Sequence, residues 1–180
     1  MFCVVMSELQ SSTVIFHTAL GRCALRWSEV GISGVLLPKV GGRPGPSYEV
    51  GAVVPAFVDE AIEGMIDVMD GKDRDLSSIR LDERGIDDFR RAVYTETRAI
   101  PAGTTRSYGE VARAIGRQDG ARDVGAALAR NPFPILVPCH RVVAANGALT
   151  GFSAPGGLET KRRMLELEGA PGYGQLVLFG

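Results

Sequence analysis

The chain has 180 residues, 45% of them hydrophobic and 23% charged, with a formal net charge of -1. That composition is an ordinary globular protein with enough apolar residues for a real core, and no apolar run approaches the roughly 20 residues a membrane-spanning helix needs. The opening MFCVVMSELQ has neither a basic leader nor a long apolar stretch, so a cytoplasmic location is expected, with Met6 as an alternative start. Three cysteines (Cys3, Cys23, Cys139) are an odd number, and free thiols are expected in place of a disulfide framework.

Charge is unevenly spread. Residues 1–89 hold eight Lys/Arg against fourteen Asp/Glu, whereas residues 90–169 hold twelve against seven. A basic second half can face a polyanion, or its charges can simply solvate a surface.

In chain order, STVIFHTAL, RCALRWS and GISGVLLP alternate in strand fashion between turn signals and predict an antiparallel meander. A Gly/Pro-rich connector, VGGRPGPS at 40–47, leads to PAFVDEAIEGMIDVMDG. There Val58, Ile62, Met65, Ile66 and Met69 share one helical face, and Pro55 suits the first turn. A short strand is predicted around Leu76 to Leu81. In GIDDFRRAVYTETRAI, Ile86, Phe89 and Val93 recur at helical spacing, with Asp87 and Asp88 in the first turn and a stop near Ile100-Pro101. The division between domains is placed here, giving 1–84 and 85–180.

SYGE at 107–110 has the form of a capping box and opens a helix with Val111, Ala114 and Ile115 inward. After a turn at Gly116 to Gly120, Ala121 to Arg130 predicts a second short helix, with Val124 and Leu128 on one side and Gly125, Ala126 and Ala129 elsewhere. Two short helices joined by a glycine-bearing turn suggest a helix-turn-helix. Its small second helix offers mainly Arg122 and Arg130 toward a groove, which argues against sequence-specific reading of bases.

PILVPCHRVV (134–143) then places a cysteine, a histidine and an arginine inside an apolar run. Burying ionisable groups is costly unless each finds a partner, so the run points to chemistry. Cys139 becomes a strong nucleophile as a thiolate, and of the two histidines, His17 and His140, the adjacent His140 is the candidate partner. In an extended strand the two would point oppositely, so contact needs a kink at Pro138 or a bridging water. The plainer reading of Cys139 is an inert core thiol, which is the reading given to Cys3 and Cys23. A zinc site from Cys3, His17 and Cys23 lacks close CxxC-type pairing, and no metal or cofactor is expected.

PCHRVV, preceded by GTTRSYGEVARAIG, ARDVG and NPFPI and followed by GALTGF, GG, K and LELEG, resembles the O6-alkylguanine-DNA alkyltransferases (methylated-DNA–protein-cysteine methyltransferases) almost without gaps from Phe89 to Gly169. The resemblance implies an α/β (α+β) fold, with a small ribonuclease-H-like meander-plus-helix domain followed by a mostly helical domain with a winged-helix-like helix-turn-helix. It implies that Cys139 accepts the alkyl group of O6-alkylguanine, or of O4-alkylthymine, in a single turnover. His140 would take the thiol proton through water, and Glu168 would orient His140. Arg122 would fill the place of the flipped nucleotide, Tyr108 would donate to a base ring nitrogen, and Asn131 would fix the turn before the reactive segment. Ser153 would bond near the O6 oxygen, and the carbonyls of Cys139 and Val142 would accept from the exocyclic amine. Arg141 would brace the fold. The partner implied is double-stranded DNA bound through its minor groove by a monomer. This chain departs from the family in having Phe152 where Tyr is common, and in an inserted Ala154-Pro155 before Gly156-Gly157.

Three other readings differ in class. A lesion-binding protein that recruits excision repair would lack the acceptor cysteine. A cysteine hydrolase would need an oxyanion hole and a distant histidine, and a regulator would need base-reading side chains on its second helix.

Overall fold

The computed structural model describes residues 12–38 and 54–174; Cys3, Met6 and the 40–47 connector lie outside the described residues. Strands β1 (Ser12–Thr18) and β2 (Gly21–Trp27) form the expected hairpin, paired antiparallel from Ser12 opposite Trp27 to Thr18 opposite Gly21. Gly21, which follows the two-residue turn, leaves it at a φ of 126° that residues with a side chain rarely adopt. Strand β3 (Ile32–Leu36) adds antiparallel to β2. Alternation buries Val14, Phe16, Cys23 and Leu25 on one face. His17 lies on the other, exposed and opposite Arg22, so it points away from Cys23 and the two cannot share a metal.

Helix α1 (Ala56–Met69) covers the buried face with Val58, Ala61, Met65, Val68 and Met69, while Ile62 and Ile66 are partly buried at the edge of the stripe. The strand expected at Leu76 to Leu81 does not form. Leu76 and Ile79 are buried anchors, but only Leu81 bridges β3, at Ile32. Asp75 turns the chain locally by accepting from the Ser77 amide at 2.8 Å. Nη2 of Arg98 then donates to the carbonyls of Leu76, Ser77 and Ile79 at 2.7, 3.0 and 2.9 Å, where a neighbouring strand would have been.

Helix α2 (Asp88–Arg98) begins at Asp87, whose carboxylate accepts from the Arg90 amide, so Asp87 caps the helix from just outside it. The capping box predicted at SYGE is present in both directions and starts α3 (Tyr108–Ala114). This short helix turns Val111 and Ala112 inward; Ala114 is exposed and Ile115 only partly buried, a correction to the expected face. Helix α4 (Ala121–Leu128) ends two residues before the predicted Arg130 and buries Val124, Ala127 and Leu128. It is tied to α2 by the buried Tyr94, whose hydroxyl donates to the Ala127 carbonyl at 3.2 Å.

Strand β4 (Arg106–Ser107) pairs in parallel with β5 (Val142–Val143), which fixes the start of α3 beside the end of the reactive segment. Helix α5 (Gly157–Leu167) closes the described fold. The result is mixed α/β, and its main core runs continuously from Val14 through Met65, Val93 and Phe133 to Met164. None of the described helices is long and apolar enough to cross a membrane.

Candidate functional site

The run PILVPCHRVV is not the strand its composition suggests. Pro138 has no amide to give a ladder, and Cys139–Arg141 coil into a single 3-10 turn before β5. The turn is held by the Arg141 amide donating to the Pro138 carbonyl at 2.9 Å and the Val142 amide donating to the Cys139 carbonyl. Successive side chains of such a turn diverge by about 120°, where a strand would set them on opposite faces.

A bent approach supports this turn. Ile135, β-branched and buried, has a φ of 74°, a left-handed conformation that such residues rarely adopt. Asn131 closes the preceding bend: its Nδ2 donates to the Val137 carbonyl at 2.8 Å and its Oδ1 accepts from the Phe133 amide at 2.9 Å. Asn131 therefore ties the end of α4 to the residues just before Cys139.

His140 is fully buried, with Nε2 2.8 Å from Oε1 of Glu168. Glu168 follows α5 and accepts four hydrogen bonds. Besides His140 they come from Nη2 and Nε of Arg141, at 2.8 and 2.9 Å, and from the Gly103 amide at 3.3 Å. Gly103 sits at a φ of 72°, and a Cβ there would lie 2.9 Å from the Glu168 carbonyl oxygen, so only glycine brings the amide this close. Arg141 also donates from Nη1 to the Ile100 carbonyl at 2.5 Å, which makes it a buried brace between the end of α2 and Glu168.

Burial alone would raise the Glu168 carboxyl, but the bonds and charge from His140 and Arg141 outweigh it and hold it at about 2. Burial lowers His140 against the raising influence of Glu168, so the imidazole is neutral at pH 7. With Nε2 facing a carboxylate it carries the proton there, which leaves Nδ1 a lone pair. Nδ1 is buried and has no partner among the described residues. It is an unprotonated ring nitrogen on the residue that follows Cys139 in the turn.

Cys139 is buried, and burial pushes its thiol up. Four groups pull the other way: the Asn131 side chain, the charge of Lys161, and the backbone amides of Cys139 and His140. Cys23 differs. Burial raises it to about 11 and only the Thr18 hydroxyl opposes that, as suits a core thiol.

The remaining expected residues fall into two groups. Tyr108, first in α3, donates to the Thr150 carbonyl at 3.0 Å, and the Val142 carbonyl accepts from Nζ of Lys161 at 2.6 Å. Both adjoin the reactive turn. Arg122, second in α4, and Ser153, before α5, are exposed, and neither side chain forms a hydrogen bond or ion pair among the described residues. Phe152 packs, partly buried, against the core.

One residue escaped the sequence reading. Lys161 appeared there only as a matching letter, yet it is fully buried beside the cysteine. It lies in the run TKRRMLEL, where a lysine next to two arginines reads as solvated helix surface.

Residues 88–170 match the family model of the 6-O-methylguanine DNA methyltransferase DNA-binding domain. A methylated-DNA–protein-cysteine methyltransferase of Mycobacterium bovis is 48% identical over 101 residues, 56% of this chain and 59% of that protein, so the chain spans about three fifths of that relative's length. A protein of the same name from Methanothermobacter thermautotrophicus is 32% identical over 149 residues, covering 83% of this chain and 80% of the relative. Among solved structures, Mycobacterium tuberculosis OGT in complex with DNA superposes with a TM-score of 0.70 at 34% identity, covering 89% of this chain and 96% of that one. A cysteine in a 3-10 turn, a neutral histidine on a buried carboxylate and a relative matched over four fifths of its length lead to one assignment: the chain belongs to the methylated-DNA–protein-cysteine methyltransferase family.

Proposed function

We propose that this protein repairs DNA by moving the alkyl group of O6-alkylguanine, and of O4-alkylthymine, onto its own Cys139. The observation that carries the reading is the unpartnered Nδ1 of His140, whose ring Glu168 holds through Nε2, one residue along the 3-10 turn from the buried Cys139. The thiol proton passes through a bridging water to Nδ1. The thiolate then attacks the alkyl carbon, the S–C bond forms as the C–O bond breaks, and the electron pair of the broken bond passes to the purine. Tyr108 donates to a ring nitrogen of the leaving base, Ser153 bonds near the O6 oxygen, and the carbonyls of Cys139 and Val142 receive the exocyclic amine. Val142 retains a second lone pair for this beside its bond to Lys161. A thioether has no route back to a thiol here, so each molecule acts once.

The target oxygen lies within the base stack, and the nucleotide must be flipped out at a cost of a few kcal/mol. Exposed Arg122 on small-residue α4 suits the role of filling the gap from the minor groove, with phosphate contacts supplying affinity in any sequence context. Asn131 keeps α4 in register with the reactive turn. The proposed organisation is a ribonuclease-H-like unit over 1–84 and a winged-helix-like DNA-binding unit over 85–180, acting as a monomer.

The test is intact mass. Incubation with duplex DNA bearing O6-methylguanine adds one methyl group per protein, on the peptide containing Cys139. Cys139→Ala still binds the duplex and gains nothing; a wild-type protein that binds the lesion with its mass unchanged would refute alkyl transfer.

A further inference from the structure

Residues 150–157 lead into α5 and hold three glycines, Gly151, Gly156 and Gly157, at φ of 47°, 83° and 55°. Such a run is costly to order, because glycine gives up more backbone freedom on folding than any other residue. Three devices order it here. At its start the Thr150 carbonyl accepts from the Tyr108 hydroxyl at 3.0 Å. In its middle Phe152 and Ala154 pack, partly buried, against the main core, which includes Cys139, and leave Ser153 exposed between them. At its end Ala154-Pro155-Gly156-Gly157 make a tight turn, closed by the Gly157 amide donating to the Ala154 carbonyl at 3.0 Å.

The geometry of that turn is type II. Gly156, at a φ of 83° and a ψ of -6°, fills the position that needs a positive φ, and Pro155 stands before it with its own φ already set by the ring. The inserted pair Ala154-Pro155 thus supplies the first half of the turn. Thr160 ties the turn to α5. Inside a helix a threonine hydroxyl ordinarily donates to a carbonyl three or four residues back. The buried Thr160 hydroxyl reaches one residue further and donates to the Pro155 carbonyl at 2.7 Å.

We propose that this lock is a positioning device for alkyl transfer: Pro155 and Thr160 hold Ser153 where its hydroxyl meets the O6 oxygen as the C–O bond breaks. That oxygen gains electron density in the step, and a donor already in place stabilises it without having to be ordered during the reaction. Neither residue touches the base; each acts through Ser153. The proposal rests on the alkyl-transfer reading above and on the part that reading gives Ser153.

Single-turnover transfer from O6-methylguanine duplex at saturating protein, followed by intact mass, compares wild type with Thr160→Val, Thr160→Ser, Pro155→Gly and Ser153→Ala. Two double variants add Ser153→Ala to Thr160→Val and to Pro155→Gly. Ser153→Ala slows transfer by on the order of tenfold, and Thr160→Val and Pro155→Gly each by about three- to tenfold, the scale of one hydrogen bond lost or misplaced. Thr160→Ser keeps the hydroxyl and transfers at the wild-type rate. Duplex affinity, read by fluorescence anisotropy, stays within about twofold of wild type throughout, because the interaction is made in the transition state. In the Ser153→Ala background the other two changes slow nothing further, since what they position is gone. Slowing that persists in that background overturns the proposal, and so does wild-type speed in Ser153→Ala or in both Thr160→Val and Pro155→Gly. Should Thr160→Val fail to fold, Pro155→Gly, at an exposed position, carries the same comparison. A wild type that transfers nothing defeats the repair reading instead. The lock is then judged by deuterium exchange of the Gly157 amide, which quickens in Pro155→Gly and Thr160→Val; exchange that stays unchanged overturns the lock itself.

Discussion

Glu168 directs its carboxylate at His140, Arg141 and the Gly103 amide, and it is enclosed with them. A buried pair is costly to break, because the partner left behind keeps its charge with nothing to answer it. Glu168→Gln keeps the shape and removes the charge. The expected loss is about 3 kcal/mol of unfolding free energy in urea at pH 7, together with slower transfer by a less basic His140. The pH dependence has a definite sign. The folded carboxyl lies at about 2, below its unfolded value of roughly 4.3, so the folded state binds fewer protons. Its contribution is complete above the unfolded value and is lost as pH falls through the folded one. The difference in stability between wild type and Glu168→Gln therefore shrinks between about pH 4.5 and 2; a difference that stays constant over that range contradicts the assignment.

At the scale of elements, the bend between α4 and the 3-10 turn is set by one side chain. Asn131→Ala removes an acceptor from the Phe133 amide and a donor from the Val137 carbonyl, and also a group that favours the Cys139 thiolate. It is expected to lower stability by about 1–3 kcal/mol in chemical denaturation and to move the pH midpoint of Cys139 modification upward. A variant that loses stability while the midpoint stays put would limit Asn131 to structure. The helices and their starts were legible because the signals are local: Asp87 and Ser107 cap within three residues, and Val58, Met65 and Met69 repeat at helical spacing. The strand at Leu76 to Leu81 was misread because its apolar residues anchor a loop whose carbonyls are answered by Arg98, a partner about twenty residues away. The 3-10 turn at Cys139 was half legible: Pro138 announced a kink, and composition could not say which kind.

For the whole molecule, what stayed hidden in the sequence is what depends on segments meeting. Cys139 and His140 stood out in the run PILVPCHRVV, and Glu168 and Asn131 were named from the family resemblance, but the bonds from Arg141 to Glu168 and to the Ile100 carbonyl, and the burial of Lys161, exist only once α5 has packed on the reactive turn. The same holds for the amino-terminal sheet. The free edge of β3 is closed by residues 80–82, with the Ile32 amide donating to the Arg80 carbonyl at 2.8 Å and the Asp82 amide to the Ile32 carbonyl at 2.7 Å. Gly31 permits this approach, since a Cβ there would stand 2.6 Å from the Arg80 carbonyl oxygen. Gly31→Ala is expected to push the two apart and cost about 1–3 kcal/mol, read as a lower melting temperature; an unchanged melt would mean the edge can yield freely.

Further along that edge, the Val35 amide donates to the Pro132 carbonyl at 2.8 Å, and Pro132 directly follows Asn131. A strand remote from Cys139 thus holds the back of the joint between α4 and the 3-10 turn. The Val35 proton becomes a remote gauge of that joint: its rate of exchange with deuterated solvent registers each loosening or tightening, without a label anywhere near Cys139.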